Sequence, residues 1–353
     1  MATWYVDFSA GSNGSGTSAG SPLNSAAAIV AAAPAAGDVV YCTGTLAGTL
    51  ALSTLAGSSL ANCITFVGVT NLSTLDMSSR TLINASGQSA ALTGSGNSLH
   101  FRNFDFRNST STTNQHSGNY TVFVDCVFHK GTGSAGSAAS VFDAFFRGCK
   151  FYNYTSTALT LGGTYASAVE ECYFEGCGAG VATSGYRNCA ISNTVFVTIS
   201  GDAISYPGNA IPGTPYGLYN CTFHSIGGSA VVFDGAGHND VMVEFNLFSS
   251  VTGTCIKLTN APSGGTVIGA FGNRAFSVGT FVGTNVKDVG QNVTLGSSPF
   301  TSAPTDLTVT SASGLRGTHF NGASFGGMQI GNVSGGGSGG VMFDSGFNAG
   351  FGG

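Results

Sequence analysis

Through the middle of the chain, apolar and polar residues alternate in short runs that end in phenylalanine: NFDF (103–106), DCVF (125–128), GCKF (148–151), ECYF (171–174), NTVF (193–196), NCTF (220–223) and FNLF (245–248). The terminal phenylalanines, at 106, 128, 151, 174, 196, 223 and 248, are spaced by 22, 23, 23, 22, 27 and 25 residues. Two positions before each stand Phe104, Cys126, Cys149, Cys172, Thr194, Cys221 and Asn246, so four of the nine cysteines share one place in the repeat. A second column keeps the same phase: Leu159, Val181, Ile204, Val231 and Ile256, at spacings of 22, 23, 27 and 25. Segments such as VFVDCVF and AVVFD have the period of two that belongs to half-buried strands, and Gly, Ser, Asn and Thr punctuate them as turns. Amphipathic stretches of helical length and period do not occur in the repeats.

A unit of 22 to 28 residues with two or three short strands has the size of one coil of a right-handed parallel β-helix. The pattern therefore predicts an all-β solenoid. Stacked coils place like residues above one another at about 4.8 Å. The predicted interior ladder is Cys126, Cys149, Cys172 and Cys221 beside Phe128, Phe151, Phe174 and Phe223. Glycine suits the tight corners, because it reaches positive φ without a Cβ clash. Near the start, SPLNSAAAIVAAA (21–33) predicts an Ala-rich helix with Ser21 as N-cap and Pro22 at its first position, stopped by Pro34 and Gly37. A helix there would cover the unpaired edge of the first coil. The chain thus divides into an N-terminal strand and capping helix (1–41), parallel coils (42–316) and a Gly-rich C-terminal arm (317–353).

Composition narrows the class. Of 353 residues 55 are Gly and only 8% are charged, against a usual ~25%. A hydrophobic content of 42% excludes a disordered polyelectrolyte. The longest apolar run, Ala26 to Ala36, has 11 residues and contains Pro34, short of the roughly 20 that cross a bilayer, so no membrane partner is expected. The 11 Lys and Arg are scattered and the net charge is −5, which leaves no basic stripe for nucleic acid. The nine cysteines include no CxxC pair; neither a metal nor another cofactor is expected. The opening MATWYVDFSAGSNGSG has no basic region, apolar core or cleavage site of a secretory signal. This predicts synthesis in a reducing cytoplasm, with the thiols mostly free.

Candidate chemistry is sparse. A lyase acting on uronic-acid polymers needs a basic residue near acidic Ca²⁺ ligands, and the four lysines (130, 150, 257 and 287) have no trio of acids in register with them. The densest acids, Glu170, Glu171 and Glu175, fall in ECYFEGC, a strand and turn that reads as a solvated corner. Glycoside hydrolysis needs two carboxyls about 5 to 9.5 Å apart; the candidates are Asp202, Asp234, His238, Asp240 and Glu244, which stacking of adjacent coils could bring together. HExxH and P-loop motifs are absent from the sequence. Tyr152, Tyr154, Tyr165, Tyr186, Tyr206, Tyr216 and Tyr219 lie in the middle coils. They form either a glycan- or protein-recognising face, with Tyr206, Tyr216 and Tyr219 as binding candidates, or ordinary rim residues. In the arm, Phe320, Phe325, Phe343, Phe347 and Phe351 either ride on a flexible Gly/Ser tail or anchor it to a partner. The cost of exposing aromatics favours the anchor.

Two segments carry a resemblance. WYVDFSAGSNGSGTSAGSPLNSAAAIVAAAPAAGDVVY (4–41) resembles the opening of pectate-lyase-like right-handed β-helix proteins, and SPFTSAPTDLTVTSASGLRG (298–317) is similar to their closing segment. That superfamily includes lyases, hydrolases, epimerases, phage tailspikes and inert structural members. SGDAIS around Asp202 resembles the second-Asp segment of polygalacturonases and GAGHNDV (235–241) their Gly-His-Gly element. Here, however, Ala203 replaces the paired acid, Asn239 follows His238, and no Arg-Ile-Lys comes after. The resemblance implies a non-enzymatic phage virion protein, a head decoration or fibre or a tail-fibre component. It would be a homotrimer made in the host cytoplasm, bound to capsid or tail proteins through the arm and touching cell-surface polysaccharide. The alternative it implies is a tailspike-like polysaccharide depolymerase, hydrolase or lyase, working through the acids from Asp202 to Glu244.

Overall fold

The computed structural model describes residues 1–53, 55–162, 167–184, 189–207, 217–234, 241–260, 267–303 and 306–309. The chain coils into three parallel sheets of 12, 11 and 10 strands. Sheet A runs from Thr3–Asp7 to Lys287–Gly290, sheet B from Thr45–Ala47 to Val293–Thr294, and sheet C from Leu50–Ala51 to Thr280–Val282. Each coil visits A, B and C in turn, and every strand pairs in parallel with its counterparts one coil before and after, as the repeat predicts.

The two sequence columns are interior stacks. Rings of Phe106, Phe128, Phe151, Phe174, Phe196, Phe223 and Phe248 lie nearly parallel with successive centroid separations of 5.3, 5.1, 4.4, 4.9, 5.1 and 5.0 Å. Leu159, Val181, Ile204, Val231 and Ile256 are mutual strand partners in sheet C. Sheet A adds a third stack, Phe66, Phe101, Phe123 and Phe146, at 5.2, 5.3 and 5.0 Å. Each side of the prism thus buries one face, and the rise of one coil matches the thickness of a stacked ring.

The corner from sheet A to sheet B turns on a single left-handed residue: Asn103, Asp125, Gly148, Glu171, Asn193, Asn220, Phe245 and Gly272, with φ between 50° and 65°. Asn and Asp tolerate that region through local hydrogen bonding. Gly272 has a second reason to be glycine, since a Cβ there would lie 2.6 Å from the Phe245 ring. The buried column beside this corner satisfies its backbone. The thiols of Cys126, Cys149, Cys172 and Cys221 donate to the carbonyls two residues earlier at 3.3 to 3.5 Å. Further along, the column becomes polar: Asn246 Oδ1 accepts from Cys221 N–H at 2.8 Å, and Asn273 Oδ1 accepts from Asn246 N–H at 2.9 Å. All nine cysteines are free thiols, and only Cys63 is not buried.

The N-terminal cap differs from expectation in its start. The helix is Ala26–Ala32, and its N-cap is Ser25, whose hydroxyl accepts from Ala28 N–H. Ser21 and Pro22 belong instead to a return segment held extended: Leu23 bridges Val6, and its N–H donates to the Tyr5 carbonyl at 2.9 Å. That pairing keeps the backbone out of helical dihedrals until Ser25. The helix buries Ala26 and Ile29 against the first coil. Asp38 fastens the same end, accepting from Trp4 Nε1 at 3.1 Å and from the N–H groups of Ala2 and Ala35. These hydrogen bonds hold its carboxyl below the ordinary value against the opposing effect of burial.

At the other end, an antiparallel hairpin, Phe300–Ser302 with Asp306–Val309, follows the last coil. Phe300 and Leu307 pack on the outside of sheet B, against Tyr173, Val195, Val197 and Leu247. The arm phenylalanines, Phe320, Phe325, Phe343, Phe347 and Phe351, lie outside the described residues.

Candidate functional site

Among the described residues, the candidate acids are not brought together. Asp202 sits in the turn between Val195–Ile199 of sheet B and Ile204–Pro207 of sheet C, where its Oδ1 accepts from Ser229 N–H at 2.6 Å. It holds one corner onto the next. Asp234 ends the strand Val231–Asp234, opposite Pro207. The strand Val231–Asp234 runs away from Ser229, which Asp202 holds, so Asp202 and Asp234 belong to opposite ends of sheet C. Glu244 ends Val241–Glu244 in sheet A, paired with Tyr219, and therefore belongs to another side of the prism. His238 and Asp240 lie outside the described residues.

The tyrosines divide as well. Tyr206 is a core residue, not a binding one: it is 2% exposed and stacks on Phe233 at 5.1 Å. The strand alternation that turns Ile204 inward turns Tyr206 inward too. Tyr154 is likewise buried, its hydroxyl 2.8 Å from Thr113 Oγ1. Tyr219 is 44% exposed, and Tyr216 lies outside the described residues. The acidic corner is ion-paired: Arg147 reaches Glu171 at 3.0 Å and Glu170 at 4.0 Å. Among the described residues no three His, Cys, Asp or Glu side chains are grouped to hold a metal ion.

A different constellation is assembled on the outer face of sheet B. Because Phe106, Phe128, Phe151 and Phe174 point inward, the residues on either side of each point outward. Successive rungs therefore present Asp105 and Arg107, Val127 and His129, Lys150 and Tyr152, then Tyr173 and Glu175. The His129 and Tyr152 rings meet edge to face at 5.8 Å, and Tyr152 and Tyr173 at 5.9 Å. Asn153 Nδ2 lies 3.3 Å from His129 Nε2, and the Tyr173 hydroxyl donates to Glu175 Oε2 at 3.1 Å. From Tyr173 onward the face disappears beneath the hairpin, where Phe300 meets His224 edge-on at 5.4 Å.

The electrostatics of this face are perturbed. Burial, with a further contribution from the Arg80 charge, pushes the Lys150 ammonium below its usual value. Burial and the Glu175 and Asp105 carboxylates push Tyr152 up to about 12, with Arg80 opposing. Burial lowers His129, with Arg107 adding to the effect and Asp105 opposing it, so its imidazole is neutral near pH 7. Asp105 and Tyr173 are buried, and the half-buried remainder of the strip, Arg107, His129, Lys150, Tyr152 and Glu175, offers rings, a hydroxyl, an imidazole and two cations, a surface suited to sugars. A signal for it exists in the sequence, in the neighbours of the Phe column: DFR, VFH, KFY and YFE.

The comparisons agree with the fold. Residues 65–241 match the family of the right-handed β-helix region, and the chain belongs to that family. No curated protein matches the chain significantly. Among solved structures, the pectate lyase Pel9A has a TM-score of 0.60 at 14% identity, over 86% of this chain and 84% of its own. A rhamnogalacturonan lyase has a TM-score of 0.54 at 13% identity, over 86% and 91%. An alginate lyase from Paenibacillus sp. str. FPU-7 gives 0.54 at 13%, over 75% and 97%. At these identities the likeness is one of fold.

Proposed function

We propose that the chain is a rigid, non-enzymatic structural component of a phage virion, a head decoration or fibre or a tail-fibre part, whose β-helix presents a glycan-recognising face. The observation that carries recognition is the pair of half-buried rings, His129 and Tyr152, on the outside of sheet B, set at coil spacing on a continuous core. Asp202, the residue most like a hydrolase acid, is committed to holding a turn. In this reading the protein assembles as a homotrimer and attaches to capsid or tail proteins through residues 317–353. The test is imaging and mass spectrometry of native particles, together with a glycan array probed with the purified chain. A symmetric, stoichiometric copy number and retention of surface polysaccharides are the expected results. Absence from particles would sink the virion assignment.

A second reading is a polysaccharide depolymerase. The fold shared with proteins titled pectate, rhamnogalacturonan and alginate lyase and the lowered Lys150 favour it. Release of new reducing or unsaturated ends from polysaccharide by the full chain would establish it in place of the first.

A further inference from the structure

We propose that Lys150 and Arg80, flanked by Tyr152, form a site on the outer face of sheet B for the anionic group of a saccharide, a carboxylate or a sulfate ester. The inference rests on the glycan-recognition reading and deepens it by naming the ligand class and the residues.

The argument begins with the pairing of charges. Each carboxylate bordering the strip already has a partner: Asp105 holds Arg107 through both carboxylate oxygens, Asp125 faces Arg102 at 3.8 Å, and Glu175 accepts from the Tyr173 hydroxyl. Arg80 is anchored by its Nε, which donates to the Asp125 carbonyl at 3.0 Å. A carbonyl orients the guanidinium and leaves its charge uncompensated. Neither Arg80 nor Lys150 has an acidic partner within ion-pair distance among the described residues. The two cations are nonetheless neighbours: Arg80 is held at the Asp125 carbonyl, and the carbonyl of the next residue, Cys126, accepts from Lys150 N–H at 2.9 Å, in keeping with the lowered Lys150 ammonium. Two like charges held together, one of them half-buried, cost free energy that a bound anion would return.

The surroundings say what kind of anion. A small inorganic ion would need only the cations. Here the adjoining surface continues along the rungs as the half-buried rings of Tyr152 and His129, in contact at 5.8 Å, while Tyr173 behind Tyr152 is buried beneath the hairpin. Amphipathic rings of this kind stack on the apolar faces of sugars while leaving their edges free for hydroxyls. Asp105 and Glu175, one rung to either side of the His129 and Tyr152 rungs, supply acceptors for those hydroxyls and disfavour a second anion close by. The hairpin closes the strip at Tyr173, so a polymer enters from the Asp105 side.

The test uses the full chain and three soluble polymers: polygalacturonate, a heparin-type sulfated glycan and neutral dextran. Affinity is measured by calorimetry at two ionic strengths. Binding of at least one anionic polymer over dextran is expected, weakening with salt. Lys150→Gln and Arg80→Gln should each reduce it about tenfold or more, the effect of losing one charge-assisted contact. Tyr152→Ala should weaken binding at high salt as well. Lys257→Gln, an exposed lysine on the sheet C side, is the control and should bind as wild type, with unchanged melting temperatures showing that all variants fold. Whether carboxylate or sulfate is preferred identifies the source of the anion. Dextran bound as tightly as the acidic polymers would overturn the charge assignment while leaving glycan recognition standing. Undiminished anionic binding by both the Lys150 and Arg80 variants would overturn the site. Retention of no polysaccharide at all would overturn recognition and site together.

Discussion

His116 shows how much a single interior position can determine. It stands in sheet C, paired with Gly94, fully buried, with its Nδ1 accepting from Gly118 N–H at 3.2 Å. Gly94 and Gly118 both lie against its ring, so the coil makes room for it with residues that have no side chain. Burial lowers its pKa from 6.5 to about 4. The folded chain therefore holds the neutral ring, whereas the unfolded chain binds a proton once the pH drops below about 6.5. The stability contributed by the neutral ring is complete above that value. It falls as the pH decreases toward 4, by a total of about 3 kcal/mol. Urea unfolding between pH 7 and 4 should show this slope, and His116→Gln, which cannot titrate, should flatten it while starting from a lower stability at pH 7. An equally steep profile in the variant would assign the acid sensitivity elsewhere.

At the scale of elements, the ring column is the unit of stability, and it is also where the sequence was most legible. Phe151 lies between Phe128 at 5.1 Å and Phe174 at 4.4 Å, so Phe151→Ala opens a gap that neither neighbour can fill without leaving its own coil. The expected loss is about 3–5 kcal/mol, measured by denaturant melting. Hydrogen exchange should rise first in the strands on either side, because each coil contacts mainly its neighbours. The column was readable because one residue type recurs at coil spacing. The parallel column in sheet A was not: it begins as Phe66, Phe101, Phe123 and Phe146 but continues as Val169, Ile191, Leu218 and Val243. Any apolar side chain of suitable volume serves there. Ser25 is not legible as the N-cap for a different reason, since Leu23 is kept extended by Val6, a contact that local propensity does not encode. The outer strip from Asp105 to Glu175 was hidden because solvent imposes no common residue type from rung to rung.

Across the whole molecule, the C-terminal hairpin changes how the coils depend on one another. A solenoid held only by nearest-neighbour contacts can open anywhere along its length. Phe300 and Leu307 contribute to a cluster with Tyr173, Val195, Val197 and Leu247, and Phe300 also meets His224; these residues come from four successive strands of sheet B. The hairpin is thus a clip that couples several coils, lying outside the core that each coil shares with the next. Replacing Phe300 and Leu307 together by Ala should therefore affect cooperativity more than the inner stack. The unfolding transition is expected to broaden, with a lower dependence on denaturant. An apolar-surface dye should bind the uncovered Val195, Val197 and Leu247, while far-ultraviolet dichroism in the absence of denaturant retains its strand signal. A transition as steep as wild type would show that the coils are coupled without the clip, and the hairpin would then be a cover for that face alone.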